Sequence, residues 1–194
     1  TINPYSAAAN YELGNIYSLQ QKNDLAFLQY EMAANQDSEN YWYQITYAAV
    51  LQSQNKTKEA AKIFEKLIEK NPDRIELRYE LAQLYMNNDR KEDGIGVLND
   101  IEKLIGVNED LSIWKKKAHL ANNDINAATE EIEKLIEAFP GEIRYYGLLA
   151  EIYASNGKKE KALEVYKKME EMDPDNYRVQ FALAENYRRN GEDD

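Results

Sequence analysis

The chain has 194 residues, of which 43% are hydrophobic and 30% charged, and its 35 Asp and Glu against 24 Lys and Arg give a net charge of -11. This charge argues against general binding to nucleic acids or anionic membranes, because both require basic surface. The absence of cysteine excludes disulfides, thiolate catalysis and cysteine-ligated metals. No apolar run approaches the roughly 18 residues of a membrane-spanning helix, so no direct membrane insertion is expected.

Prolines mark a period of 34 residues. Pro4, Pro72, Pro140 and Pro174 are separated by 68, 68 and 34 residues, and each gap is a multiple of 34. Small and large residues recur at the same spacing, as close helix packing requires, because a small side chain lets a neighbouring helix approach and a large one fills the groove beside it. The small column is Gly14, Ala48, Ala82, Lys116, Ala150 and Ala184, and the large column is Tyr17, Leu51, Tyr85, His119, Tyr153 and Tyr187.

In chain order, the period predicts five helix pairs and one final helix. The pairs occupy residues 7–40, 41–74, 75–108, 109–142 and 143–176, and the last helix covers about 177–190. No segment alternates between apolar and polar residues over a useful length, so we predict no strand. The predicted fold class is all-α, with about 11 helices in a single array over residues 1–194.

The fourth pair departs from this pattern. Lys115, Lys116 and His119 stand where the other pairs have small or apolar residues. Because burying two lysines would cost several kcal/mol, we predict that this first helix is shifted by three residues and that the softest joint lies between pairs three and four. The replacement apolar face would consist of Leu111, Trp114, Ala118 and Ala121.

The fifth pair shows the helical pattern most clearly. Residues 146–153 place apolar side chains at i, i+3, i+4 and i+7, which is one face of a helix. Asn156-Gly157 is expected to end this helix in a left-handed turn. Pro174 ends the second helix of the pair, because proline disfavours the helical conformation in the residue before it.

A helix–turn–helix of 34 residues with small residues at positions 8 and 20, an aromatic at 11 and proline at 32 resembles the tetratricopeptide repeat. The segments Leu13-Gly14-x-x-Tyr17 and Leu149-Ala150-x-x-Tyr153 match the signature of that family. The resemblance implies a right-handed α-solenoid of stacked antiparallel helix pairs, with the first helices lining a concave groove. One pair cannot bury its own apolar face, so stability must come from stacking.

Both ends of the chain fall inside a repeat. Pro4 occupies position 32 of a repeat that is otherwise absent, and the chain stops after a single first helix. We therefore expect the chain to be part of a longer protein.

No motif for catalysis or nucleotide binding is found in the sequence, so we predict that the protein is not an enzyme and needs no cofactor or metal. His119 is the only imidazole, and we interpret it as a surface or partly packed residue. The runs 130–133 and 170–173 are rich in carboxylates. At helical spacing and with lysines nearby, they predict a solvated outer face rather than a metal site.

The family resemblance implies that repeat positions 2, 5, 6, 9 and 12 of each first helix face the groove. It assigns Trp114 to the groove if the fourth pair is not shifted and to the core if it is. A clamp for C-terminal carboxylates of heat-shock chaperones is excluded, because only Asn15 matches its pattern and Glu76 and Glu80 reverse two required charges. The candidate partner-binding residues are Tyr11, Asn15, Trp42, Thr46, Tyr79, Glu80, Gln83 and Arg144.

These residues predict a non-catalytic scaffold or adaptor for protein–protein interaction. Tyrosine and tryptophan combine a large contact area with a small entropy cost, and acidic flanks favour a peptide or protein segment with apolar side chains and some positive charge. Two alternatives stay open. One is a glycan-binding module that uses the groove aromatics, and the other is a spacer or a homodimer formed through the terminal helix.

Overall fold

The computed structural model describes residues 6–190, with side chains through Arg188. Over this range the chain forms eleven helices and no strand, which confirms the predicted all-α class. None of these helices is both long and apolar enough to cross a membrane. The helices are α1 (Ala7–Leu19), α2 (Asn23–Gln36), α3 (Tyr41–Ser53), α4 (Thr57–Lys70), α5 (Ile75–Asn87), α6 (Lys91–Ile105), α7 (Glu109–Ala121), α8 (Ile125–Ala138), α9 (Ile143–Ser155), α10 (Lys159–Met172) and α11 (Tyr177–Asn190).

The first helix of every pair begins 34 residues after the one before, at residues 7, 41, 75, 109, 143 and 177. The turn inside each pair also repeats, with one residue in the left-handed conformation at the same position. Gly, Asn and Asp tolerate this conformation best, and α9 ends at the predicted Asn156-Gly157 turn. The left-handed residues are Gln21, Asn55, Asp89, Asn123 and Gly157.

The described helices form two compact units, unit 1 up to Ile101 and unit 2 from Glu102, with the boundary inside α6. In unit 1, the small residues of the 34-residue column permit close packing. A Cβ atom added to Gly14 of α1 would lie 2.7 Å from the Tyr30 ring of α2. Ala48 and Ala82 at the equivalent positions are fully buried. The small column therefore sets how closely the helices of unit 1 can approach.

A partly buried tyrosine–carboxylate hydrogen bond also joins successive pairs in unit 1. The Tyr47 hydroxyl on α3 donates to Glu31 of α2 at 2.7 Å, and the Tyr85 hydroxyl on α5 donates to Glu65 of α4 at 3.1 Å. Burial raises the pKa of Tyr47, and the hydrogen bond to Glu31 and its negative charge raise that pKa further. The neutral phenol is therefore the form that the folded state favours.

In unit 2, the predicted shift of α7 is wrong. The helix begins at Glu109, in register with the other first helices, and Lys115 is fully buried. Leu111 and Ala118 are buried as expected, whereas Trp114 is half-buried and Ala121 is exposed. Lys115 therefore takes the core position that Leu81 and Leu149 hold in other repeats, without any slide of the helix.

Two carboxylates compensate the charge of Lys115. Its Nζ atom lies 2.9 Å from a Glu102 oxygen on α6 and 2.8 Å from a Glu131 oxygen on α8. Lys134 completes this four-residue network, with its Nζ 2.7 Å from Glu131 and 3.6 Å from Glu102. Two lysines and two glutamates carry no net charge, so the network can be buried where a single lysine could not.

The network also corrects the expectation that the carboxylate run 130–133 is fully solvated. Glu131 is only 5% exposed, because it faces Lys115 rather than water. Burial lowers the pKa of Lys134, but the Glu131 hydrogen bond and the charges of Glu131 and Glu102 outweigh this effect and raise that pKa. The ammonium form of Lys134 is therefore stabilised in the folded protein.

We predict that Lys115→Ala lowers the free energy of unfolding of unit 2 by about 3–5 kcal/mol, because it leaves two largely buried carboxylates with only the part-exposed Lys134 as counter-charge. Urea unfolding followed by circular dichroism measures this change. Lys116→Ala, at a half-exposed neighbouring lysine, is the matched control and should change little. The triple variant Lys115→Met, Glu102→Leu, Glu131→Leu should recover most of the loss, and equal losses in the single and triple variants would contradict this interpretation.

We also predict that alkaline pH destabilises the protein through its tyrosines. A group whose pKa is raised on folding contributes stability below its unfolded pKa, and this contribution is lost as the pH rises through the folded pKa. Stability should therefore fall as the pH rises above about 10, the usual pKa of tyrosine. Tyr47→Phe should cost roughly 1 kcal/mol at neutral pH and should reduce the decline at high pH.

Urea unfolding at neutral pH and above the usual tyrosine pKa tests this expectation. Tyr177→Phe is the control, because Tyr177 is 70% exposed and removal of its hydroxyl should change stability little. Identical pH profiles for the wild type and Tyr47→Phe would show that the Tyr47–Glu31 bond has no part in the alkaline effect.

Candidate partner-binding surface

The first helices α1 and α3 lie side by side in unit 1, and Tyr11 joins them. The Tyr11 hydroxyl lies 3.2 Å from Thr46 Oγ1, so these two predicted residues share a hydrogen bond. The Tyr11 ring is 4.9 Å from the Tyr43 ring and 5.8 Å from the Tyr30 ring, measured between centroids. Tyr11 is half-buried, so it packs between helices and also presents part of its side chain to solvent.

Asn15 lies one turn further along α1 and is held from both sides. Its Oδ1 atom accepts a hydrogen bond from the Tyr30 hydroxyl at 2.9 Å, and its Nδ2 atom donates to Glu12 at 3.4 Å. The Tyr30 ring that reaches Asn15 is the one that requires glycine at position 14. Asn15 therefore stabilises the α1–α2 pair in addition to its predicted place in the binding surface.

Trp42 is 67% exposed at the start of α3. The Asn40 side chain caps this helix end by accepting from the Trp42 amide at 3.1 Å. The indole packs edge-on against the Tyr41 ring, with 5.3 Å between the ring centroids. The Arg74 guanidinium also contacts Tyr41 and lies 4.5 Å from the centroid of its ring. Trp42 is thus a large exposed aromatic side chain that packs on Tyr41, which suits partner contact.

The helix α5 contributes the remaining predicted residues of unit 1. Tyr79 is half-buried, and Glu80 and Gln83 are exposed. The Gln83 side chain donates to Asn87 at 2.8 Å, one turn along the same helix.

The first-helix side of unit 1 is acidic. Among repeat positions 2, 5, 6, 9 and 12 of α1, α3 and α5, the charged residues are Glu12, Glu76 and Glu80, all exposed, and none is Lys or Arg. Such an arrangement repels anions and favours cationic groups. We call the group of Tyr11, Asn15, Trp42, Thr46, Tyr79, Glu80 and Gln83, with these carboxylates, the aromatic–acidic surface.

Arg144 belongs to unit 2 and has partners of its own there. Its guanidinium lies 2.7 Å from Glu109 and 3.2 Å from Glu142, and it packs 4.7 Å from the Tyr145 ring. The Tyr145 hydroxyl in turn donates to Glu109 at 3.1 Å. Arg144 is exposed, but its charge is already paired with Glu109 and Glu142, whereas the carboxylates at the groove positions of unit 1 have no cation at those positions.

Two contributors were missed at the level of sequence. Tyr43 stacks on Tyr11 although it is not at a groove position of the family pattern, and Tyr30 holds Asn15 from the second helix. Gly14 is the sequence signal that could have indicated Tyr30, because a glycine at a helix-packing position leaves room for a large side chain on the neighbouring helix. In unit 2, the unshifted α7 places Trp114 on the side that the family pattern assigns to the groove.

The described residues include no group of three or more His, Asp or Glu side chains that could hold a metal ion. None of the curated proteins matches the sequence significantly. The chain resembles several solved structures, and the three described below have sequence identities of 16–23%. At such identity the likeness shows the fold alone.

Three of these structures illustrate the range. A chain of the Naa15/Naa10 structure bound to HypK-THB matches with a TM-score of 0.72 and 16% sequence identity. The match covers 96% of the present chain but only 29% of the Naa15/Naa10 chain. The C-terminal part of a TPR repeat-containing protein from Cytophaga hutchinsonii matches with a TM-score of 0.61 and 23% sequence identity. This match covers 92% of the present chain and 73% of the Cytophaga chain. YrrB, a TPR protein with an unusual peptide-binding site, has a TM-score of 0.53 and 20% identity, with 93% of each chain covered.

Family descriptions match the sequence directly. Residues 51–104 match one tetratricopeptide repeat family and residues 117–177 match another, so the two segments together cover more than half of the chain. With eleven helices whose first members recur every 34 residues, this chain belongs to the tetratricopeptide repeat proteins.

Proposed function

We propose that the protein is a non-catalytic scaffold or adaptor that binds a peptide or protein segment on the aromatic–acidic surface of unit 1. Tetratricopeptide repeats generally mediate protein–protein interaction, and their fold is typically a non-catalytic scaffold. The observation that carries the proposal is Trp42, which is 67% exposed, packs on Tyr41 and lies among groove positions whose only charges are negative.

The chemistry of this surface defines the partner. The exposed indole and the half-buried rings of Tyr11 and Tyr79 offer apolar contact, so the partner segment should carry apolar side chains. Glu76 and Glu80 lie on the same helix as Tyr79 and favour a lysine or arginine beside those side chains. YrrB, which has a similar fold, is itself a TPR protein with a peptide-binding site, so a peptide partner is compatible with this fold.

Arg144 is a separate candidate contact in unit 2. Its side chain remains 56% exposed despite the ion pairs with Glu109 and Glu142. A carboxylate of a partner could therefore reach the guanidinium only in competition with those two residues, which makes Arg144 a weaker contact than Trp42.

A homodimer through the terminal helix is the second candidate, and two observations favour it. Tyr177 and Phe181 lie one turn apart on α11 and are 70% and 68% exposed. Beside Phe181, a cleft of about 450 Å³ is lined by side chains of α9, α10 and α11, including Tyr166 and Ala182. This end of unit 2 could accept an apolar side chain from another chain.

We predict that Trp42→Ala with Tyr79→Ala weakens peptide binding at least about tenfold without unfolding the protein, since loss of one hot-spot aromatic costs about 2 kcal/mol or more. The probe is a random peptide display library selected on the wild-type chain. Enriched peptides should contain apolar residues next to lysine or arginine, and isothermal titration then compares their affinity for the wild type and the variant.

The double variant Tyr177→Ala, Phe181→Ala is the matched control, because it removes two exposed aromatics from unit 2. Glu76→Lys with Glu80→Lys should weaken binding of basic peptides and make it less sensitive to salt. Equal affinity of the wild type and the Trp42–Tyr79 variant would reject this surface. Binding only to members of a polysaccharide panel would favour a glycan-binding module instead.

A further inference from the structure

The aromatic rings of unit 1 repeatedly hold cations of the same chain. The Arg74 guanidinium lies 4.5 Å from the centroid of the Tyr41 ring, and the Arg90 guanidinium lies 4.3 Å from that of Tyr85. Lysine side chains lie over two further rings of unit 1. A cation over an aromatic face is attracted by the negative charge of the π system, and arginine makes this contact more often than lysine.

Trp42 differs from these rings because its face is open. Among the described residues, no Lys or Arg side chain lies over the indole. The indole is 67% exposed and meets the Tyr41 ring at an interplanar angle of 82°, so Tyr41 does not stack flat on it. Tryptophan binds cations better than tyrosine or phenylalanine. Trp42 thus offers an open face of the ring type that binds cations best.

Two cations lie near the start of α3, and both are paired with carboxylates. Arg74, which contacts the first residue of α3, has its Nη1 atom 3.9 Å from a Glu76 oxygen. Lys70 forms an ion pair with Glu39, which precedes α3. Each pair is neutral as a whole, so neither produces a net positive field that would repel a further cation.

The other charges at the groove positions of unit 1 are negative. Glu12 and Glu80 are exposed, and none of these positions carries Lys or Arg. A cation that stacks on the indole gains from these carboxylates, whereas an uncharged apolar side chain gains nothing from them. The chemistry of the ring and the charge around it therefore favour the same occupant.

We propose that Trp42 binds an arginine side chain of the partner segment, with the guanidinium stacked on the indole. This inference rests on the proposed function and specifies which partner residue meets Trp42. Arginine suits the site better than lysine, because its planar guanidinium stacks on a ring, is more weakly hydrated and keeps N–H groups in its plane for carboxylates. The apolar side chains of the partner then contact the half-buried rings of Tyr11 and Tyr79.

Replacement of arginine by citrulline tests the proposal, because citrulline has nearly the same shape but no charge. Peptides enriched on the wild-type chain from the random display library are synthesised again with each arginine changed in turn to citrulline or to lysine. Isothermal titration should identify one arginine whose change to citrulline weakens binding about three- to tenfold. The lysine peptide should bind with an affinity between those of the arginine and citrulline peptides.

The variant Trp42→Leu separates contact with the ring from general attraction to the carboxylates. Leucine keeps an apolar side chain but has no π system, so the difference between the arginine and citrulline peptides should largely disappear. Trp42→Phe should retain part of that difference, since phenylalanine binds cations more weakly. Phe181→Leu is the matched control, because Phe181 of unit 2 is 68% exposed and its loss should leave the difference unchanged. Circular dichroism checks that each variant folds.

Two results would overturn this inference and leave the proposed function intact. One is a citrulline effect of equal size in the wild type and in Trp42→Leu, which would show that the arginine meets only the carboxylates. The other is a set of enriched peptides that lack arginine but still lose affinity for the variant Trp42→Ala, Tyr79→Ala. If no peptide is enriched, or if that double variant binds as tightly as the wild type, the proposed function fails and this inference fails with it.

Discussion

The fold depends on one constraint, which is that a pair of amphipathic helices cannot cover its own apolar surface. Within each unit, the first helices α3 and α9 pack on their own second helix, and α3, α5, α9 and α11 contact the second helix of the pair before them, so the residues of α3 and α9 are fixed from more than one side. Gly14 shows how tight the first contact is, since even a methyl group there would meet the Tyr30 ring. The second contact is polar as well as apolar, because the hydroxyl of Tyr47 reaches a carboxylate on the preceding pair.

This constraint explains why sequence periodicity was so informative about the fold and less so about individual residues. The turn at Asn156-Gly157 and the all-α class follow from local chemistry, and both were predictable. The burial of Lys115 was not, because it depends on Glu102 and Glu131, which are 13 and 16 residues away in sequence and on other helices. A lysine in a core column can indicate a shifted helix or a buried ion pair, and only the tertiary arrangement distinguishes them.

The same limit applies to the candidate binding surface. Its aromatic and acidic character could be predicted from repeat positions, but the packing role of each side chain could not. Asn15 and Tyr11 carry interhelical hydrogen bonds, so substituting them would disturb the helices as well as any partner. Trp42 contacts its neighbour Tyr41 and is otherwise largely exposed. Its substitution therefore reports more directly on partner binding than substitution of Asn15 or Tyr11.

The distribution of charge gives the chain two chemically distinct surfaces within unit 1. On the first-helix side, carboxylates such as Glu12 and Glu80 stand unopposed by cations at the groove positions, which favours a basic partner and discourages contact between copies. On α2, charge is nearly absent and apolar side chains replace the lysines and glutamates of other repeats. The exposed apolar side chains of α2 and the carboxylates at the groove positions therefore suit partner surfaces of different chemistry.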